Sequence, residues 1–409
     1  MDLNKRLDNY ARLIAKVGVN VQPGQPVLVR ANIDSRDIAL KLVKACYELG
    51  AKKVEVEWRD QQLNRLDLEN RSKDTLEEVG QWFIDKYQES IDEKTAYIYV
   101  VGDDPDGLAG VDSEKIKTAA LTRSKALKNY MKAIMSNECP WNVMAASTRG
   151  WAKRLFPELD EEEGYLKLWD LILSACRVDG NDAVKNWEEH IATLDKKVEF
   201  LHAEELVKLH ITNKLGTDLY VGLPKGHLWE SAGSVAKTGQ RFVANIPTEE
   251  VFTMPHKDQT SGIVYNAKPL NYQGVLIDNF WLKFEDGKVV DFGAEKGYEV
   301  LNNLLNTDEG ARRIGEMALV PFASPISDTK TLFLETLFDE NAACHIALGA
   351  AYPTTLEGGD KMTEEELAAA GANSSLIHVD FMIGEETTNI KGFTADGKEI
   401  AIFKDGNWA

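Results

Sequence analysis

Near residue 200 the chain changes character, and that change limits its possible folds more than any other feature. Before it, strand-like and helix-like stretches alternate; after it, short strand-like runs are punctuated by turn dipeptides. At the start, apolar residues recur at helical spacing through Leu3, Leu7, Tyr10, Leu13, Ile14 and Val17. Residues 19–26 read as a loop and 27–33 as a compact strand. Asp34 and Ser35 offer N-cap oxygens to a helix through Ile38, Leu42, Val43 and Cys46, which stops at Gly50. A strand over 54–58 completes a βαβ unit, expected to be right-handed with parallel strands. A helix near 76–86 leads to a strand at 96–101. Residues 114–135 read as one long helix, 141–146 as a strand, and 161–176 and 182–194 as helices.

Beyond Leu201 the punctuation is Leu215-Gly216, Asp286-Gly287, Asp396-Gly397 and Asp405-Gly406. Asp-Gly between strand-like runs is a strong hairpin signal. It predicts one hairpin from 280–284 with 289–292 and another within 393–403. One helix, 295–305, interrupts this half and is followed by 308–315. The expected fold is α/β: an N-terminal parallel-sheet α/β domain over 1–200, then a C-terminal β-rich α+β domain over 201–409.

Charge narrows the functional classes. The 409 residues carry 66 acidic against 47 basic side chains, a net charge of −19. That balance argues against nucleic acid and anionic lipid as partners, since both want clustered Lys and Arg. A few of the carboxylates are instead candidates for holding hard cations. Cys46, Cys139, Cys176 and Cys344 are far apart and form no CxxC pair, so neither a disulfide framework nor a thiolate zinc site is expected. No apolar run approaches the ~20 residues that span a bilayer. The N-terminal segment lacks the apolar core of a signal peptide, and the expected location is the cytoplasm.

Familiar catalytic signatures are missing. There is no G-x-G-x-x-G after the first strand, no P-loop, no G-x-S-x-G elbow and no H-E-x-x-H. The acidic run from Gly102 to Gly107 lacks an EF-hand's ligand ladder and reads as a polar turn. The aromatic-rich run from Trp141 to Pro157 reads as a core segment or a lip over a site, with core the favoured reading.

The second half holds more suggestive groupings. His378-Val379-Asp380 lies in a strand pattern over 376–383, where residues i and i+2 share a face, so imidazole and carboxylate would converge. Asp339-Glu340-Asn341 precedes His345 at the head of a mainly apolar stretch closed by Tyr352-Pro353. Glu250 follows Pro247-Thr248-Glu249, and Glu316 follows Gly315. Taken singly, each is explained by a surface carboxylate or a helix cap, and spacing alone does not assemble them.

As an ordered string these pieces resemble the aminopeptidase T / aminopeptidase S family of metallopeptidases. The resemblance covers essentially the whole chain, including the run from Trp141 to Ala152 and Gly216-Thr217-Asp218-Leu219. It implies two divalent metal ions (zinc, cobalt, manganese or magnesium) in the C-terminal domain. The implied ligands are Glu250, Glu316, Glu340, His345, His378 and Asp380, with Glu316 bridging. Tyr352 matches an active-site tyrosine. The implied activity is release of N-terminal amino acids from peptides by a bridging hydroxide, with Glu249 or Glu316 as general base and Tyr352 on the oxyanion. A homodimer is implied as well. Four carboxylates offset two divalent charges, and the imidazoles bias the site toward zinc, cobalt or manganese over calcium. The alternatives are another dinuclear metallohydrolase, an amidase or a phosphoesterase, and a non-catalytic ligand-binding protein.

Overall fold

In the computed structural model, which describes residues 2–180, 182–272 and 275–409, the chain forms two compact units. One comprises Met1–His190 with Gly233–Pro247, the other Ile191–Ala232 with Thr248–Ala409.

The first unit is built on a five-stranded parallel sheet. Its order is Lys53–Arg59, Pro26–Asn32, Ala96–Val101, Trp141–Ala145 and Asn245–Ile246. The first four are the strands read from the sequence: Pro26–Asn32 and Ala96–Val101, inner strands covered on both faces, are mainly apolar runs, whereas the edge strand Lys53–Arg59 alternates apolar and charged residues. Val27, Val29, Ala31, Ile98 and Met144 are buried in it. The Leu3–Leu13 helix continues as one wider turn through Gly18. The helix after the first strand spans Arg36–Glu48, but its predicted caps are replaced. Ser35 caps without a side-chain bond, while Asn32 accepts from the Asp34 amide.

The expected single helix over 114–135 is two, Ser113–Ala126 and Lys128–Met135. The break falls at Leu127, a buried member of a core cluster with Tyr87, Tyr97, Tyr130 and Ile134. The first segment buries no residue, so redirecting the second lets it cover this cluster. Trp151 is buried on the Arg149–Leu155 helix, in keeping with a core role for the Trp141 run. The acidic turn after Val101 is spoken for: Asp103 pairs with Asn32 and Arg59, and Asp106 with Arg154.

The second unit holds two antiparallel sheets. The larger has nine strands, in the order Leu270–Tyr272, Val275–Glu285, Thr260–Tyr265, Asp218–Gly222, Leu206–Thr212, Asn389–Thr394, Glu399–Lys404 and Asn407–Trp408, with Lys288–Lys296 also on Val275–Glu285. Both predicted hairpins are present. Asp286 and Gly287 have φ of 47° and 78°, as a tight two-residue hairpin turn requires. Strand Lys288–Lys296 runs through the predicted start of the helix; Gly297, at φ 74°, ends it, and the helix is Tyr298–Leu305. Only a short turn, Gly310–Arg312, lies in the 308–315 segment, since pairing claims the chain from Ile314.

The smaller sheet runs Val251–Thr253, Ile314–Leu319, His345–Gly349 and His378–Met382. It touches the larger through Phe280 and Phe381, ring centroids 5.1 Å apart. Among the described residues no helix is long and apolar enough to cross a membrane.

Candidate metal centre

Residues directly opposite on antiparallel strands share a face, as do residues two apart along a strand. The smaller sheet puts Glu316 opposite Ala347, and Ala347 opposite Asp380. Next along, His345 lies opposite Ala318 and Met382, and Gly349 lies opposite His378. One face therefore presents Glu316, His345, His378 and Asp380. Between them the central strand carries only Ala347 and Gly349 on that face, leaving space above the sheet. Gly349 has φ 110°, and a Cβ there would collide with the Ile377 carbonyl oxygen, so the position excludes side chains. The strand before it carries a bulge between Ile314 and Glu316, a device that re-aims a side chain.

Two further carboxylates arrive on loops. Glu250 immediately precedes the edge strand, and Glu340 opens the short turn Glu340–Ala342. Asn341, with no exposed surface, ties the two loops together. Its Oδ1 accepts from the Glu249 amide at 2.8 Å, and its Nδ2 donates to the Leu337 carbonyl at 3.1 Å and to Glu340 Oε1 at 3.4 Å.

The resulting cluster has two overlapping triads. The donor atoms of Glu250, Glu316 and His345 lie within 4.8 Å of one another, as do those of Glu316, His378 and Asp380. His345 Nε2 stands 3.3 Å from Glu250 Oε2 and 3.5 Å from Glu316 Oε1. His378 Nε2 stands 3.6 Å from Glu316 Oε2 and 3.5 Å from Asp380 Oδ1. The other ring nitrogens face carbonyls: His345 Nδ1 lies 3.2 Å from Ala343 O, and His378 Nδ1 2.7 Å from Ala350 O. A carbonyl only accepts, so each Nδ1 carries the proton and each Nε2 is aimed into the cluster. This is the arrangement that orients metal-binding imidazoles.

Electrostatics show which group the donor set suits. Burial, then the charges of Asp380 and Glu250, push the Glu340 carboxyl well above its usual range. Burial also raises Glu316, against the pull of His345. Burial pulls His378 down, but Asp380 and Glu316 outweigh it and lift the imidazole to about 9. Burial likewise opposes the charge on His345, and Glu250 and Glu316 outweigh it, raising that imidazole well above its usual value. Asp380 Oδ1 is buried without a hydrogen-bond partner among the described residues. The described ion pairs of Glu250, Glu316 and Asp380 involve the two imidazoles and no lysine or arginine. Four clustered carboxylates facing two imidazoles are an unbalanced charge set. Divalent cations fit this mix of oxygen and imidazole donors.

A pH dependence follows. Without ions, the His378–carboxylate pairing contributes stability in full below pH 6.5, and that contribution is lost as pH rises through about 9. An ion at Nε2 must displace that proton. Metal uptake at pH 7.5 is therefore expected to release about one proton or more per chain. Calorimetry in buffers of differing ionisation enthalpy reads this directly, and a heat independent of buffer would remove His378 from the ligand assignment.

Of the residues singled out from sequence, Glu250, Glu316, His345, His378 and Asp380 are brought together, with Glu340 beside them. Tyr352 puts its ring 4.9 Å from that of His378. Burial and the four nearby carboxylates hold its hydroxyl well above the usual range, so it keeps its proton. Glu249 is buried with its amide held by Asn341 and takes part in neither triad. The linking role of Asn341 and the two carbonyl anchors were missed. Backbone acceptors leave no mark in a sequence; an asparagine between Glu340 and the apolar stretch from Ala342 was the available clue.

The profile of the thermophilic metalloprotease (M29) family matches residues 3–408. Aminopeptidase AmpS of Bacillus subtilis (strain 168) is 46% identical over 406 residues, covering 99% of each chain. Aminopeptidase T of Thermus aquaticus is 40% identical, covering 99% of this chain and 98% of its own. The solved structure of wild-type AmpT from Thermus thermophilus superposes with a TM-score of 0.93 at 38% identity, over 100% of both chains.

Proposed function

Since this chain belongs to the thermophilic metalloprotease (M29) family and is a metallo-aminopeptidase, we propose that it releases the N-terminal residue of peptides at a site of two divalent ions. The observation that carries this reading is the pair of triads sharing Glu316. Glu250, Glu316, Glu340, His345, His378 and Asp380 would hold the ions, with Glu316 between them. When bound, the ions supply Lewis acidity toward the scissile carbonyl and a water acidic enough to lose its proton near neutrality. Zinc, cobalt or manganese suits the two imidazoles best, and magnesium suits the carboxylates.

The chain's own residues do the rest. Asn341 fixes the loops bearing Glu249, Glu250 and Glu340, so the ligand set is positioned before substrate arrives. Tyr352, protonated and beside His378, donates a hydrogen bond to the developing oxyanion. A carboxylate accepts the proton of the attacking water and returns it to the leaving amine. Glu249 is favoured over Glu316 for this step because it belongs to neither triad. The same reading assigns catalysis to a C-terminal region, 201–409, and has the protein act as a cytoplasmic homodimer on peptides, without nucleic acid or membrane partners.

Blocking the substrate's amine is the test. Leucyl peptides are expected to be cleaved, and their N-acetyl forms at least about 100-fold more slowly. Equal rates on both would make the protein an amidase. Hydrolysis of p-nitrophenyl phosphate without peptide cleavage would favour the phosphoesterase alternative.

A further inference from the structure

Glu230 is a carboxylate outside the ligand cluster. It pairs with Phe252 through backbone bonds in both directions, each 2.9 Å. Facing residues of an antiparallel pair put their side chains on the same side. Glu230 therefore shares the side occupied by the Phe252 ring, whose centroid is 6.2 Å from that of Tyr352. Tyr352 in turn meets His378. The carboxylate is half-buried, and its side-chain partner is the Thr354 hydroxyl, which donates to Oε2 at 3.1 Å. No lysine, arginine or histidine pairs with it among the described residues. Burial raises its carboxyl above the usual range, as expected of an acid without a cation.

A half-buried carboxylate without a counter-ion is costly unless a ligand supplies one. Two cations on a peptide qualify, the α-ammonium and a basic first side chain. The α-ammonium is one carbon from the scissile carbonyl and must stay close to the ions. From His378 the contacts run through the Tyr352 ring to the Phe252 ring, and Glu230 is the residue opposite Phe252. A long side chain follows that path, laying its methylenes along the rings with its charged head at the carboxylate. We propose that Glu230, with Thr354, Phe252 and Tyr352, forms the subsite for the substrate's first side chain and selects lysine or arginine there. This inference rests on the aminopeptidase reading above.

The test compares the metal-loaded wild type with Glu230→Gln on arginyl, lysyl and leucyl p-nitroanilides. The variant is expected to lose about 10-fold or more in kcat/KM on the two basic substrates, chiefly through KM, and to stay within about twofold on the leucyl one. Glu230→Arg should lower the basic substrates further and raise a glutamyl substrate. An unchanged arginyl-to-leucyl ratio in Glu230→Gln, with the leucyl substrate still cleaved, would overturn the subsite and leave the aminopeptidase reading intact. Failure of wild type on every substrate would instead sink that reading. Calorimetric binding of argininamide then still decides the subsite: weaker binding to Glu230→Gln supports it, and equal binding overturns it.

Discussion

Glu316→Gln is expected to lower kcat/KM on a leucyl substrate by on the order of 10³-fold or more, because several kcal/mol of metal-derived stabilisation are at stake. The substitution is nearly isosteric, so packing is preserved while an anionic donor becomes a weak neutral one. Glu316 is the carboxylate common to both triads, with one oxygen 3.5 Å from His345 and the other 3.6 Å from His378. Bound metal, read by elemental analysis, should fall together with activity. The metal-free protein separates this role from a structural one. There the change removes one of several crowded like charges, so the melting temperature should hold or rise. A structural residue would lower stability with or without ions. Wild-type rates and metal content in this variant would exclude Glu316 as a ligand.

Exhaustive chelation is expected to abolish release from leucyl p-nitroanilide, and Co²⁺ or Zn²⁺ to restore it. The same treatment should cost stability. Ions at 100 times their dissociation constant stabilise the folded state by about 2.7 kcal/mol. For units of this size that amounts to roughly 5–10 °C in melting temperature. The direction follows from the charge set: without ions, Glu250, Glu316, Glu340 and Asp380 share two imidazolium partners, and Asp380 Oδ1 has no hydrogen bond among the described residues. Full activity in protein that elemental analysis shows to be free of metal would end the two-ion proposal.

Much of the fold was legible because its signals are local. Pro26–Asn32 and Ala96–Val101 are mainly apolar runs, the edge strand Lys53–Arg59 alternates apolar and charged residues, and the Asp-Gly turns carry the positive φ that favours those residues. Errors arose where distant packing overrode local pattern. Residues 114–135 look like one helix until Leu127 is drawn into the tyrosine cluster, and Glu295 looks helical until strand pairing claims it. The site divides in the same way. His378 and Asp380 share a face by strand periodicity alone. Glu316 joins them only through Ala347, the residue opposite both carboxylates, and that register belongs to the folded sheet. The ordered family pattern supplied what periodicity could not. Glu230 had neither aid, since its placement depends on a single backbone pairing with Phe252.

The carbonyl anchors have a consequence for how such a centre can evolve. Ala343 and Ala350 flank one strand, His345–Gly349, and between them they orient both imidazoles. The gauge between the rings is thus set by main-chain rise, about 3.3 Å per residue, and not by any side chain. Substituting the ligands can alter which ion the donors prefer, but it leaves that gauge untouched. A one-residue insertion or deletion within the strand would reset it, and the same change would flip every side chain beyond it to the opposite face. The spacing of this centre is therefore inherited with the sheet itself.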